Sequence, residues 1–257
     1  AALQPAGMRV AVLLALTALL VGAGSTAPAR RAFVLPILEY HRIGPPGPRL
    51  PALTDRLTVD PAGFAAQMEW LKRHGFHAVT MQQAYEALTR GRRLPSRPVL
   101  VTFDDGYRDV LWNAAPVLRR LRMPATEFVI TGRVDGRDPS FLTWPELRRL
   151  EGAGFAIGSH TATHADLAAL PAVQALRELE QSRASLRAHL HRPADWLAYP
   201  FGRVDAAVLA LARRAGYLLG VTEQPGAVQT AAGRLELHRY EVLDTTGTAG
   251  LSAMLGG

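Results

Sequence analysis

The chain has 257 residues, of which 48% are apolar, so it can bury a large core and is not intrinsically disordered. Its formal charge is +7, but the basic residues, all arginine except Lys72, are spread over predicted helices without interleaved aromatic residues, which argues against a nucleic-acid-binding protein. There is no cysteine, which excludes disulfides and a cysteine lipid anchor, so a metal site would have to use histidine and carboxylate ligands.

The amino terminus has the pattern of an export signal. A charged start at Met8-Arg9 precedes an apolar run over residues 10–21 and then a stretch of small residues. The run is shorter than the roughly 20 residues of a membrane span. We interpret 1–29 as a signal peptide with extra leading residues, the alternative being an uncleaved anchor. Residues 30–257 are then one domain of an exported protein that is periplasmic, extracellular or attached to the envelope.

Strand and helix patterns alternate along the rest of the chain. Asp60 before Pro61 marks a helix start, and Thr80 with Gln83 predicts a capping box at the next one. The predicted strands cover 33–41, 77–80, 98–105, 125–131, 155–159, 196–200, 217–222 and 234–242, and the predicted helices cover 61–74, 81–90, a segment around 117–121, 144–152, 171–190 and 205–215.

Repeated strand–helix units indicate a parallel sheet with right-handed crossovers. Their number and the chain length fit a distorted (β/α) barrel with about seven parallel strands, the alternative being a doubly wound open sheet. His41, Asp104, Asp105, His160 and Pro200 each lie at or just past the carboxyl end of a predicted strand. Because active sites of barrels lie at this face, we expect these residues to converge there.

Two adjacent carboxylates, Asp104 and Asp105, end the predicted strand over 98–105. Neighbouring side chains of an extended backbone point in different directions, so one carboxylate can bind a metal while the other faces a substrate. Taken alone, the pair is equally compatible with a turn in which one aspartate caps the following helix.

Two histidines, His160 and His164, follow the predicted strand over 155–159. Such a spacing also arises by chance, and a lone histidine is usually structural. Together with Asp104 and Asp105, however, they supply two imidazoles and two carboxylates at one predicted face. One carboxylate and both imidazoles can hold a divalent metal while the second carboxylate moves a proton, which indicates a metal-assisted hydrolase.

These motifs resemble those of the polysaccharide deacetylase superfamily, the NodB-homology domain. Thr-Phe-Asp-Asp-Gly at 102–106 and Ser-His-Thr-Ala-Thr-His at 159–164 are similar to its first two motifs in order and separation, and the resemblance extends over about residues 35–251. It implies that Asp104 is the general base. It also implies that Asp105, His160 and His164 bind the metal, and that Thr161 braces the loop between the histidines.

Ala-Tyr-Pro-Phe-Gly at 198–202 resembles the third motif of that family, with alanine where an arginine usually stands. Because that arginine orients the general base, the resemblance requires a substitute, for which Arg239 is the candidate. Without the other motifs, the segment reads as a plain strand end and turn. The resemblance assigns substrate and oxyanion contacts to Tyr199, Pro200 and Phe201.

Two histidines compete for the role of general acid. His238 follows a leucine near the carboxyl terminus, as the usual acid of the family does. However, Ile-Leu-Glu-Tyr-His-Arg-Ile at 37–43 resembles the amino-terminal signature of a subgroup with permuted motif order, which includes biofilm poly-N-acetylglucosamine deacetylases. We therefore predict that His41 is the general acid and that His238 is structural.

The resemblance implies an exported, metal-dependent hydrolase that removes N-acetyl groups from polysaccharide containing N-acetylglucosamine. It would use one divalent ion, zinc before cobalt, nickel or iron. The expected partner is the N-acetylated polysaccharide, and the positive charge is compatible with membrane or cell-envelope association. The alternatives are an O-acetyl esterase of the same fold, a non-haem iron oxygenase with the two-histidine, one-carboxylate triad, and a non-catalytic carbohydrate-binding relative.

Overall fold

The computed structural model describes residues 1–2, 32–47, 50–134 and 138–256 of the chain. From residue 3 onward, the predicted signal segment lies outside the described residues and stays a prediction. Within the ranges just given, no helix combines the length and the apolar character needed to cross a membrane.

The described chain alternates between strands and helices, and a π-helical turn over Val110–Ala114 precedes the fourth α-helix. The strands are β1 (Ala32–Val34), β2 (Ile37–Tyr40), β3 (Arg42–Ile43), β4 (Thr58–Val59), β5 (His77–Ala78), β6 (Pro98–Phe103), β7 (Ala125–Val129), β8 (Phe155–Ser159), β9 (Trp196–Ala198), β10 (Leu219–Val221), β11 (Val228–Thr230) and β12 (Tyr240–Glu241). The α-helices are α1 (Ala52–Arg56), α2 (Pro61–Arg73), α3 (Met81–Arg90), α4 (Ala115–Leu121), α5 (Trp144–Gly152), α6 (Ala172–Leu190), α7 (Ala206–Arg214) and α8 (Thr248–Leu255).

The predicted helix starts are confirmed. The carboxylate of Asp60 accepts hydrogen bonds from the amides of Ala62 and Gly63, both at 3.0 Å, and so caps α2. Thr80 and Gln83 form the reciprocal capping box of α3, with bonds of 2.9 and 3.1 Å. Local hydrogen bonds therefore set the starts of these two helices without the help of tertiary contacts.

The main sheet is parallel and follows the order β10-β9-β8-β7-β6-β2-β12, with β5 pairing with the first residues of β6. Its two ends approach each other, because β10 exchanges backbone hydrogen bonds with residues 234–237 just before β12. Seven parallel strands thus curl into a distorted (β/α) barrel. This confirms the predicted fold class and excludes the doubly wound open sheet.

Two predicted strands and several short elements differ from the sequence-based prediction. The single strand expected over 33–41 divides into β1 and β2, because the backbone changes partner between Leu35 and Pro36. The Leu35 amide donates to Ala227 near the antiparallel β1–β11 pair, whereas the Pro36 carbonyl accepts from Leu100 of β6. The strand expected over 234–242 is regular only in β12. Short elements that carry weak sequence signals, α1, β3, β4, β11 and α8, were not predicted.

Strand alternation places polar groups on the barrel axis. In β6, Val101 and Phe103 pack outward against the helices, whereas Leu100 belongs to the inner apolar cluster. Thr102 shares the inward parity of Leu100 because successive side chains of a strand point to opposite faces. The inner core is therefore apolar at its base and polar toward the carboxyl ends of the strands.

Candidate active site

Three predicted metal ligands meet at the carboxyl ends of β6 and β8. Asp105 Oδ1 lies 3.5 Å from the Nε2 atoms of both His160 and His164. Asp105 and His164 adopt left-handed backbone conformations, with φ of 76° and 67°. These turns bring the carboxylate and both imidazoles to one point, although Asp105 and His160 are 55 residues apart in sequence.

A backbone carbonyl selects the nitrogen that His160 offers, and a side-chain hydroxyl fixes the backbone of His164. The carbonyl of Ala198 accepts a hydrogen bond from His160 Nδ1 at 2.9 Å, so Nδ1 carries the proton and Nε2 keeps its lone pair. The hydroxyl of Thr161 accepts a hydrogen bond from the His164 amide at 3.0 Å and so closes the turn between the two histidines. Burial lowers the pKa of His160 and of His164, which favours the neutral imidazole that binds metals.

The residues present fit a divalent cation. Asp105 Oδ1 is buried and accepts no hydrogen bond from any described residue, although it faces two imidazole nitrogens. The three donor atoms lie within 4.8 Å of one another. A buried carboxylate oxygen without a donor, beside two neutral imidazoles, is the donor set that zinc and related ions prefer.

The second aspartate, Asp104, is held by a buried arginine. Arg239 Nη1 donates to Asp104 Oδ1 at 2.9 Å, and Nη2 donates to Asp104 Oδ2 at 2.7 Å. Both side chains are completely or almost completely buried. Burial alone would raise the pKa of Asp104, but the positive charge of Arg239 and its hydrogen bonds lower the pKa to about 2. Asp104 is therefore ionised at neutral pH and cannot turn toward the metal ligands without breaking this fork.

The guanidinium of Arg239 makes further hydrogen bonds to buried groups. Its Nε donates to the carbonyl of Thr222 at 2.9 Å, and Nη1 also donates to the hydroxyl of Thr102 at 3.2 Å. Four hydrogen bonds from one buried guanidinium fix its plane, so the orientation of Asp104 is fixed too.

His41 stands beside this pair, at the end of β2. It is 8% exposed and belongs with Glu39 and Asp104 to a group whose polar atoms lie within 4.8 Å of one another. Burial lowers the pKa of His41, and the carboxylate of Asp104 partly opposes this effect. His238, the competing candidate, is tied through its backbone to the Gln229 amide, and its ring packs against Gly226. The structure thus brings His41, and not His238, into the cluster.

The third motif contributes one exposed residue. Phe201 is 48% exposed, has φ of 60°, and its ring lies 4.7 Å from that of His164. Pro200 is buried directly before it. Tyr199 is completely buried in the apolar cluster between the sheet, α6 and α7, so its side chain does not reach the site. Only Phe201 offers a side chain to a bound molecule at this turn.

Sequence reasoning did not identify Glu39 as part of the site. Its Oε1 lies 3.1 Å from Arg239 Nη2, but neither oxygen accepts a hydrogen bond from a residue that the structure describes, and burial raises the pKa of Glu39 well above the usual value. Arg239 therefore stabilises the charge of Asp104, which takes its hydrogen bonds, more than that of Glu39. An acidic residue inside an apolar strand was the signal that could have identified it.

Comparison with known protein families and known proteins identifies relatives of this chain. Residues 91–220 match the family model for polysaccharide deacetylases. A putative polysaccharide deacetylase, YxkH of Bacillus subtilis, is 34% identical over 208 residues, which are 81% of this chain and 71% of that protein. The chain belongs to the polysaccharide deacetylase family.

Other members of the family extend the match. The poly-beta-1,6-N-acetyl-D-glucosamine N-deacetylase of Staphylococcus aureus is 26% identical over 73% of this chain and 68% of that protein. The structure of the Streptococcus pyogenes deacetylase PplD in complex with acetate superposes with a TM-score of 0.80 at 29% identity, covering 88% of this chain and 99% of that one. In this family member, His41 and Arg239 lie outside the range of the family model, yet the fold brings both to Asp104.

Proposed function

We propose that this protein is an exported, metal-dependent hydrolase that removes N-acetyl groups from a polysaccharide containing N-acetylglucosamine. The observation that carries the proposal is that two adjacent aspartates have different surroundings. Asp105 faces two imidazoles, whereas Asp104 is held away from them and kept ionised by Arg239. The S. aureus relative, named for its action on such a polymer, supports the substrate. Export rests on the apolar pattern of residues 8–27.

Asp105, His160 and His164 would hold the metal, for which we propose zinc, the same donors also suiting cobalt, nickel or iron. When bound, such an ion supplies positive charge that polarises an amide carbonyl and lowers the pKa of water. Asp105 and the two histidines contribute one negative charge and two neutral donors, so the loaded site keeps a net positive charge.

Asp104 is the general base in this proposal. Its ionised carboxylate accepts a proton from the attacking water, and Arg239 keeps both oxygens in position without needing to move. An arginine at position 198 would approach Asp104 from the end of β9. In this chain, Arg239 approaches Asp104 from the segment just before β12 and takes over that role.

His41 is the general acid. Amide hydrolysis requires a proton on the leaving nitrogen, because an amine anion is a very poor leaving group. Since burial lowers the pKa of His41, the imidazole has to receive a proton during turnover before it can donate one. Asp104, which lies in the same buried group, would pass on the proton that it has accepted from water. The exposed ring of Phe201 and the backbone of its turn form the side of the site where the acetamido group would bind.

Acetate release from defined substrates tests the proposal. Purified protein loaded with Zn²⁺ should release acetate from poly-N-acetylglucosamine or chitooligosaccharide, and Asp105→Asn and His160→Ala should lose both bound metal and activity. His74→Ala, at an exposed histidine, is the matched control and should keep both. Release from acetyl-xylan alone would instead identify an O-acetyl esterase, and full metal occupancy in the ligand variants would refute the assigned site.

The choice between His41 and His238 gives a separate prediction. His41→Ala should abolish hydrolysis of the amide substrate while the metal is retained, and an activated ester should be affected less, because its leaving group hardly needs a proton. His238→Ala should stay close to wild type on both substrates, since its ring packs against Gly226 outside the cluster. An inactive His238 variant beside an active His41 variant would reverse the assignment.

A further inference from the structure

The loop that carries the two metal-binding histidines has a backbone that needs external support. Thr161 and His164 have φ of 63° and 67°. A β-branched residue such as threonine is strongly disfavoured in this left-handed region. Because His160 and His164 present their nitrogens only in this loop conformation, whatever holds the loop also holds the metal site together.

One side of the loop is held by backbone amides. The amide of Thr131 donates to the Thr161 carbonyl at 3.2 Å, and the amide of Gly132 donates to the Ala162 carbonyl at 2.8 Å. A Cβ atom at Gly132 would lie only 2.7 Å from the same carbonyl oxygen, so the approach is close. These bonds use the carbonyl groups of the loop and leave its amide groups to be satisfied elsewhere.

The opposite side is held by a single carboxylate, that of Glu178 on α6. Its Oε2 accepts hydrogen bonds from the amides of Ala162 at 3.0 Å and Thr163 at 2.8 Å, and its Oε1 accepts one from the Thr163 hydroxyl at 2.9 Å. Hydrogen bonds to a charged acceptor are stronger than those between neutral groups. Glu178 therefore ties two consecutive peptide groups between the two ligands.

The position of Glu178 is itself fixed by the packing of α6. One helical turn further on, the buried Ser182 hydroxyl lies 2.7 Å from that of Ser159, which in turn accepts a hydrogen bond from the Thr161 amide at 3.1 Å. The adjacent Leu179 is completely buried, and its carbonyl accepts from the Tyr217 hydroxyl. The same face of α6 thus contacts the loop through Glu178 and the end of β8 through Ser182.

We propose that Glu178 is a positioning residue of the metal site, which acts by holding the His160–His164 loop in its ligand-presenting conformation. The inference rests on the proposed metal site at Asp105, His160 and His164. It predicts that loss of the Glu178 acceptors weakens metal binding although the side chain touches none of the ligand atoms. Partners behind metal ligands of this kind are worth about 10–100-fold in metal affinity.

The test measures the affinity of the full-length protein for Zn²⁺ alone, by competition with a chromophoric chelator. Glu178→Ala and Glu178→Met should each bind Zn²⁺ about 10–100-fold more weakly than wild type. Glu178→Gln should lose clearly less affinity than these two variants, because its amide oxygen still accepts both backbone bonds and its amide group donates to the Thr163 hydroxyl, although without the charge of the carboxylate. Glu180→Ala, two residues away on an exposed position of α6, is the matched control and should be unchanged.

Melting curves in the presence of a chelator show whether each variant folds, and Glu178→Met keeps the volume of the side chain in case the alanine variant does not. If wild type binds Zn²⁺ and a folded Glu178→Ala or Glu178→Met binds it equally well, this inference is overturned and the metal site stands. The inference is also overturned if Glu178→Gln loses as much affinity as the alanine variant, since charge and not hydrogen bonding would then be the cause. Failure of the wild type to bind Zn²⁺ would overturn the metal site itself, and this inference with it.

Discussion

Replacing Asp104 with asparagine should lower turnover by about 10²–10⁴-fold, the usual contribution of a positioned general base, while the metal affinity stays close to wild type. Asparagine has nearly the same shape but cannot accept a proton from water. Arg239 keeps its bond to the Thr222 carbonyl and its ion pair with Glu39, so the fold should be retained. Acetate release and metal content, measured on the same preparation, check both parts of the expectation.

Asp105→Asn is the natural comparison, because it replaces one oxygen of the neighbouring carboxylate by the same amide group. It should lose the metal together with activity, since Asp105 Oδ1 faces both imidazoles and has no other partner among the described residues. If Asp104→Asn lost the metal and Asp105→Asn kept it, the two aspartates would have exchanged roles.

Replacing Arg239 with alanine should destabilise the protein by about 3–5 kcal/mol, the cost of removing one partner from a buried ion pair. The substitution leaves Asp104 and Glu39 in the barrel interior without a cation, and both are buried. Because Asp104 also loses the fork that orients it, activity should fall even where the variant remains folded. Arg214→Ala, at an exposed position of α7, is the control and should change neither property.

The destabilisation should depend on pH in a defined direction. In the wild type, Arg239 lowers the pKa of Asp104 to about 2, against an unfolded value of about 3.9. The pair therefore contributes stability that is complete above the unfolded value and is lost as the pH falls through about 2. In Arg239→Ala, buried Asp104 takes up a proton at higher pH and then needs no cation. The difference in urea midpoint between the two proteins should thus be largest near pH 7 and shrink toward pH 4; a constant difference would argue against the ion pair as its cause.

Local patterns in the sequence predicted most of the barrel. The apolar run before Asp104 is β6, the run before His160 is β8, and the capping residues mark the starts of α2 and α3. These features depend on neighbours within one helical turn or one strand, which is why they can be recognised in the sequence without tertiary information. The division of the first strand was missed because it depends on a change of partner at Pro36, from the segment beside β11 to β6.

The sequence by itself determined which chemistry-bearing residues stand at the ends of strands: Asp104, Asp105, His160, His164 and His41. Parallel strands present their carboxyl ends at one face, so these residues were bound to converge once the fold class was correct. Sequence position could suggest Arg239 only as a candidate, since 135 residues separate it from Asp104. Its role was decided by the approach of β10 to the segment before β12, which carries the guanidinium into the barrel.

The partners of the buried Glu39 and of Glu178 were also decided by tertiary structure alone. An acidic residue in a strand or on an amphipathic helix carries no local mark of its partners. Its environment depends on which side chain or loop a distant element brings beside it, as Arg239 stands beside Glu39 and the His160–His164 loop beside Glu178. The candidate ligands could therefore be recognised from the sequence motifs, whereas the groups that orient them and Asp104 depend on long-range packing, which no local pattern encodes.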